Sequence, residues 1–363
     1  MRRNTYLEFL RYCLDETLPL PESSCKIDWM KMMDWAEEQS IVGIIYGGIQ
    51  KAGKALNIPF DDLMEWIGYA QDIENRNKLV NRRCVEIVST FQKDGYETCI
   101  LKGQGNAMMY PNPLLRTPGD IDVWVRSEVR GKKLEVRSIV RYVKERNPEG
   151  KACYHHVEYG EFNGVDVEVH YRPSYMSNPL HNRRLQRFFV TQISQIVELP
   201  EGVGTICVPT QEFNVVFQLS HVYRHLLREG VGLRQVMDYY FLLKLGNNNQ
   251  LRVEKEELRD SLRSLGLEKI AGAMMWVMHE VLGLEEKYLI APMDEKRGKV
   301  LLAEIMKGGN FGFYDAENQR ADSRLKKNIQ RLKRDARLLR YFPSECLWEP
   351  IFRLWHFGWR VVH

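Results

Sequence analysis

The sequence predicts an α+β fold in which a small mixed β-sheet lies between N-terminal helices and a C-terminal helical domain. Three observations lead there. Residues 1 to about 94 carry apolar side chains at helical spacing. Between about 95 and 200 the apolar period drops to two, in short runs separated by turn residues. Beyond about 210 the helical period returns. The expected division is a helical arm at 1–94, an α+β core at 95–200 and a helical domain with a basic amphipathic tail at 201–363. A chain of 363 residues accommodates more than one domain. With 44% hydrophobic and 28% charged residues, it has the means to bury a core.

Each element has its own signal. "DDLMEWIGYAQDIENRNKLVNRRCVEIVSTFQKDG" opens on Asp61 and Asp62 and closes before Gly95, as a helix should. "YETCILKG" reads as a strand, "GQGNAMMY" as a short helix, and "YPNPLLRTPG" as a loop punctuated by three prolines. In "DIDVWV", Ile121, Val123 and Val125 alternate with Asp120, Asp122 and Trp124, giving a strand with one apolar face. Ser127 is placed to cap a helix running to roughly 145. "KACYHHVEYGEFNGVDVEVHYRP" reads as a hairpin about Asn163-Gly164, a pair suited to a tight turn with positive φ. This order of strands and helices is α+β rather than repeated βαβ units. Thr210, with Glu212 behind it, opens the helix of "PTQEFNVVFQLSHVYRHLLREG", and "LRQVMDYYFLLKLG" supplies the next, ended by Gly246.

Composition excludes several classes. A net charge of +4 is too small to point to nucleic acid by itself. The seven cysteines are scattered with no C-x-x-C pair, so neither a zinc ribbon nor a redox motif is signalled. The N-terminal stretch lacks the unbroken apolar run of a signal peptide, and no window has the ~18 apolar residues of a membrane span. A cytoplasmic protein with reduced thiols is the expectation.

The functional signal is a gathering of acids. "VDVEVHY" repeats the construction of "DIDVWV": Val165, Val167 and Val169 face one way, Asp166, Glu168 and His170 the other. If the two strands are neighbours, up to four carboxylates meet within ~10 Å, because strands lie about 4.8 Å apart. Acids so close take up protons or are neutralised by a cation, and a hard divalent ion such as Mg²⁺ suits oxygen ligands. The alternative is two surface strands with their polar faces in water. Upstream, Lys102, Gly103 and Gly105 of "ILKGQGN" join a strand end to a helix start, where backbone N–H groups and a lysine can hold an anion. This is neither a P-loop nor a dinucleotide fingerprint, because Met108 stands at the third glycine position.

"LKGQGNAMMYPNPLLRTPGDIDVWV", "VDVEVHY" and "HVYRHLLREGVGLRQVMDYYFLL" together resemble the bacterial family of uncharacterised nucleotidyltransferases within the polymerase-β-like superfamily. The resemblance spans roughly residues 99 to 245. It implies a nucleotidyltransferase core and transfer of a nucleoside monophosphate from a nucleoside triphosphate to an acceptor hydroxyl, with pyrophosphate released. It also implies Mg²⁺, two ions, held by Asp120, Asp122 and Glu168, one on the phosphates and one activating the acceptor. Lys102, Gly103 and Gln104 would cradle the β- and γ-phosphates, and Arg116 would neutralise departing pyrophosphate. Gln104 stands where the superfamily usually has serine, and the interval from Gly103 to Asp120 is longer than in many members.

Other residues keep two readings. Lys102 is either a phosphate ligand or an exposed strand-end lysine; Arg116 is either a phosphate ligand or a loop anchor paired with an aspartate. Asp166 could replace Glu168 as ligand or act as base, and His170 could orient the site or touch substrate. His221 and His225, four apart on one helical face, do not form H-E-x-x-H, because Val222 occupies the second position. With Arg234 and Asp238 they are read as the far wall of a substrate cleft; an intrahelical ion pair is the competing reading of the last two. In "ADSRLKKNIQRLKRDARLLRY", Leu325, Ile329, Leu332, Ala336 and Leu339 form one stripe of a basic helix. It either docks on the body or contacts an anionic membrane surface or acidic polymer. Two further functions stay open: a nucleotide-binding module without turnover, and a toxin-like enzyme that modifies RNA, which the small net charge does not favour.

Overall fold

The helical period of the first 94 residues is realised as α1 (Arg2–Leu14), α2 (Trp29–Glu38), α3 (Val42–Ala52) and α4 (Phe60–Lys93). The structure is a computed structural model and describes residues 2–126, 128–129, 132–133, 135–191, 194–246, 255–315 and 324–362. α4 ends as its sequence requires, with Gly95 at φ +85 reversing the chain. β1 (Thr98–Leu101), α5 (Gly103–Ala107), β2 (Ile121–Val125), β3 (Glu128–Val129), β4 (Lys132–Lys133) and α6 (Val136–Lys144) follow. The hairpin of β5 (His156–Phe162) and β6 (Val165–His170) turns at Asn163 (φ +48) and Gly164 (φ +88). Next come α7 (Pro179–Thr191), β7 (Ser194–Glu198), β8 (Thr205–Pro209), α8 (Gln211–Arg228) and α9 (Leu233–Gly246). α10 (Lys255–Ser264), α11 (Glu268–Trp276), α12 (Glu295–Gly308), α13 (Arg324–Leu338) and α14 (Pro343–Val362) complete the chain. The protein is α+β.

The main sheet has the order β1-β2-β6-β5 and is mixed, with only β2 and β6 parallel. Its first face carries Ile100, Ile121, Val123, Val167 and Val169 into a core with Cys84, Ile87 and Phe91 of α4 and Ile139 and Val143 of α6. The second face is covered too. Trp124 lies 5.3 Å from Phe213 of α8, ring to ring, within a larger core that includes Phe9 and Met32 of the N-terminal helices and Met237 and Met274 of the C-terminal ones. β2 is therefore buried throughout, and Asp122 is only 2% exposed. The surface-strand alternative fails on that observation.

Several local expectations need correction. The helix after β2 starts at Val136, with Glu135 rather than Ser127 in the capping position; Ser127 lies outside the described residues. Thr210 occupies the N-cap of α8, but its hydroxyl makes no capping bond. α7 and the β7–β8 hairpin were not foreseen, since α7 buries only Leu185 and Phe189 and so shows a weak stripe. On α13 the apolar stripe is not the docked face: Ile329, Leu332 and Leu339 are exposed, whereas Arg334, Asp335 and Leu338 are buried. Ion pairs account for the inversion, because Arg353 of α14 reaches Asp335 at 2.7 Å. No helix among the described residues is long and apolar enough to cross a membrane.

Candidate functional site

Strand register assembles the acids. β2 lies between β1 and β6, so Asp122 stands opposite Leu101 on one side and Glu168 on the other. Parallel in-register neighbours present their side chains to the same face, and Asp120, two residues before Asp122, shares it. Ligand oxygens of Asp120, Asp122 and Glu168 all lie within 4.8 Å of one another. At the end of β1 the chain turns sharply through Lys102 (φ +49) and Gly103 (φ +40). A lysine held in the left-handed region is strained, and that turn brings its ammonium back over the acids.

Asp122 is the best-supported of the three. Its Oδ1 accepts from Lys102 Nζ at 2.9 Å and meets His170 Nε2 at 2.8 Å. Burial would raise its pKa, but the Lys102 charge and the His170 contact outweigh that and hold it below the usual carboxylate range. Glu168 is likewise held low against its burial, by His156 (Nδ1 at 2.9 Å) and His170 (Nε2 at 3.4 Å). Asp120 behaves oppositely. Its side chain reaches solvent at the mouth, yet the surrounding protein and the charges of Asp122 and Glu168 push its pKa up to about 6, against Lys102 and Arg234. An acid raised in the folded state stabilises below that value and loses this contribution as pH rises through it. In EDTA, therefore, the parent protein should lose melting temperature relative to Asp120→Asn as pH rises from about 4 to 6; a difference that stays constant with pH would contradict the charge crowding.

Oxygen donors of this kind suit Mg²⁺, and the three carboxylates are the residues that would hold it. Two other groups have ligand spacing: His156, Glu168 and His170, and Cys153, His155 and His156. The second is a poor acceptor of metal. Arg224 donates to His155 Nε2, so the neutral imidazole must carry its proton on Nδ1, the atom 3.2 Å from Cys153 Sγ. His155 and His156 were not singled out in the sequence, although a His-His pair opening the strand beside Glu168-x-His170 was visible there.

The other wall comes from α8, α9 and the turn after α12. His221 Nε2 accepts from Lys102 Nζ at 3.0 Å, and His225 lies 3.2 Å from the same nitrogen, with its Nδ1 2.8 Å from Glu229. Burial and the Lys102 charge keep His221 neutral. Gly230 and Gly232 let the loop before α9 touch the 309–312 turn: a Cβ on Gly232 would meet the Asn310 backbone at 2.7 Å. This close approach sets Arg234 and Phe311 at the cleft.

Three residues do not stand as expected. Arg116 is buried and clasped to Asp238, Nε to Oδ1 at 2.7 Å and Nη2 to Oδ2 at 2.8 Å, with Tyr110 and Asn106 also donating to that carboxylate. It matches the loop-anchor reading, and the intrahelical Arg234–Asp238 pair is not formed. Gln104 turns away from the cleft, its amide nitrogen on Asn81 and, at 3.3 Å, Asn77 of α4. Asp166 is exposed opposite Glu161 and outside the cleft. Arg234 takes the place foreseen for Arg116: its guanidinium reaches the Thr117 carbonyl at 3.4 Å, stacks over Phe311 and has no acidic partner among the described residues.

The model of a family described as uncharacterised nucleotidyltransferases matches residues 25–283. The chain belongs to that family. The match takes in every strand of the main sheet, all three acids and the α8 and α9 wall of the cleft, but not the turn at 309–312. A solved structure described as an antigenic nucleotidyltransferase-like protein from Paracoccidioides brasiliensis is similar over 59% of this chain and 93% of its own, at 14% identity and a TM-score of 0.34. No curated protein matches the chain.

Proposed function

We propose that the protein is a Mg²⁺-dependent enzyme of the polymerase-β-like type that moves a nucleoside monophosphate from a nucleoside triphosphate to an acceptor hydroxyl. The observation that carries this reading is the convergence of Asp120, Asp122 and Glu168 within 4.8 Å, the two aspartates lining a cleft whose other charged groups include Lys102 and Arg234. Divalent ions bound there would supply Lewis-acid stabilisation of charge on the reacting phosphate oxygens.

The chain's own residues supply the rest. Lys102, tied to Asp122, and Arg234, without an acid partner, face the acids from two sides and would bind triphosphate oxygens. The cleft is narrow, about 50 Å³, and open to solvent, so it would take phosphate groups first. In the transfer, the acceptor oxygen bonds to the α-phosphorus, the α–β bridging P–O bond breaks, pyrophosphate leaves and the hydroxyl proton passes to solvent.

The experiment is incubation with nucleoside triphosphates labelled at the α-phosphate in a cell extract, followed by identification of the labelled product. Label retained in a product together with Mg²⁺-dependent pyrophosphate release supports the reading; nucleotide binding without release favours a module that does not turn over. Arg234→Ala should raise KM for the nucleotide about tenfold, the loss of one charge-assisted contact, while leaving the melting temperature within a few degrees. An unchanged KM would remove Arg234 from the phosphate site.

A further inference from the structure

Phe311 lines the catalytic cleft and also a second cavity, of about 500 Å³, bounded by the end of α8, the turn at 311–313 and α13. The ring ties the two spaces together: it lies 4.8 Å from the His225 ring on one side and beneath the Arg234 guanidinium on another. Its φ of +52 is a left-handed conformation rarely adopted by an aromatic residue.

The second cavity is lined by six cations, Arg228, Lys327, Arg331, Lys333, Arg334 and Arg337, against one acid, Glu229. Arg334 is 7% exposed, and its Nη1 is enclosed with no hydrogen-bond partner; its Nη2 lies 3.7 Å from Asp315. Nη2 of Arg228 is enclosed without a partner as well, although Nε is held by Glu349 at 2.7 Å. Arg331 and Lys327 line the same space and have no acid in ion-pair range among the described residues. Burial and the neighbouring Arg228 charge both press against the charged form of Arg331. The two enclosed nitrogens of Arg334 and Arg228 have no surface facing the cavity; what faces it is a lining of net positive charge, which attracts an oxyanion. A planar carboxylate satisfies one guanidinium fork; several cationic side chains lining one space from two helices suit a tetrahedral oxyanion with more acceptor atoms.

We propose that this cavity binds a phosphate group of the acceptor, so that the molecule receiving the nucleotide is a phosphate ester carrying a free hydroxyl. The inference rests on the nucleotidyltransferase reading for the word acceptor, and on the cavity alone for the phosphate. A small phosphorylated alcohol and the terminal phosphate of an RNA share this chemistry.

The test is calorimetric titration of the full-length protein, without nucleotide, with glycerol 3-phosphate, with glycerol, and with a 12-nucleotide RNA with or without a 5′-phosphate. At least one phosphorylated probe should bind ten times or more tightly than its unphosphorylated counterpart. Lys327→Ala combined with Arg331→Ala should weaken that binding at least tenfold, and neither side chain is deeply buried, so the fold should persist. Binding of glycerol 3-phosphate assigns the site to a small acceptor, and binding of the phosphorylated RNA alone assigns it to an RNA end. Equal affinity for phosphorylated and unphosphorylated probes, no binding of any probe, or binding untouched by the double substitution would overturn the proposal. With no nucleotide present, such a failure leaves the metal-acid account standing. Conversely, turnover that survived Asp122→Asn would remove that account without touching phosphate binding.

Discussion

Replacing Asp122 with asparagine should lower Mg²⁺-dependent pyrophosphate release by about 10³-fold or more while leaving a cooperatively folding protein. The magnitude follows from removing one of three charged oxygen ligands from a site asked to supply several kcal/mol of transition-state stabilisation, at about 1.4 kcal/mol per tenfold in rate. Stability should suffer less. Asparagine keeps the volume at a fully buried position and can still accept from Lys102, and Lys102 itself retains contact with solvent, so the cost is that of weakened charge-assisted hydrogen bonds, about 2 kcal/mol. Initial rates and a denaturant titration on the same preparation separate the two effects. Full activity in the variant would end the mechanism; an unfolded protein would show that Asp122 is needed mainly for structure.

Replacing Asp238 with asparagine should produce the larger loss of stability, about 3–5 kcal/mol. The difference between the two aspartates lies in what each leaves behind. Asp238 is the partner of a buried guanidinium that it grips through both oxygens, and it also accepts from Tyr110 and Asn106. Without it Arg116 remains charged away from water, a much greater penalty than leaving a half-open lysine. The pH dependence carries the same signature. Despite burial, Arg116 and the neighbouring donors hold Asp238 below the usual carboxylate range. Its contribution is thus present above the unfolded pKa, near 4, and is lost as pH falls through the lower folded value. Acid unfolding of Asp238→Asn should be shallower than that of the parent protein. A loss under 1 kcal/mol in urea, with unchanged acid sensitivity, would contradict the assignment of Arg116 and Asp238 as a structural clamp.

The sheet and its acids were legible because they rest on local pattern. Alternation in "DIDVWV" and "VDVEVH" identifies both strands and the faces they share, and Asn163-Gly164 fixes the hairpin turn. What covered the acidic face was not legible, since Trp124 meets Phe213 from a helix nearly ninety residues later. The two arginines show the same limit. Arg234 and Asp238 are four apart on a helix, the spacing of an ion pair, but Asp238 finds Arg116 from the loop before β2, leaving Arg234 for the cleft. Gln104 follows the strand-end glycine in sequence, yet its side chain is drawn to Asn77 and Asn81 on α4. The tail fails for an electrostatic reason. Its apolar stripe predicts the buried face correctly only if packing outweighs ion pairing, and Arg353 with Asp335 and Arg337 with Glu304 turn the helix the other way.

The central claim is that Asp120, Asp122 and Glu168 act together on a divalent ion. Electron paramagnetic resonance of Mn²⁺, titrated into the protein with a nonhydrolysable nucleoside triphosphate, tests it without needing the acceptor. The account predicts saturable loss of the free-ion signal in the parent protein and its abolition by Asp122→Asn. Retention of the same ion binding after that substitution, or no binding by the parent protein, would contradict it.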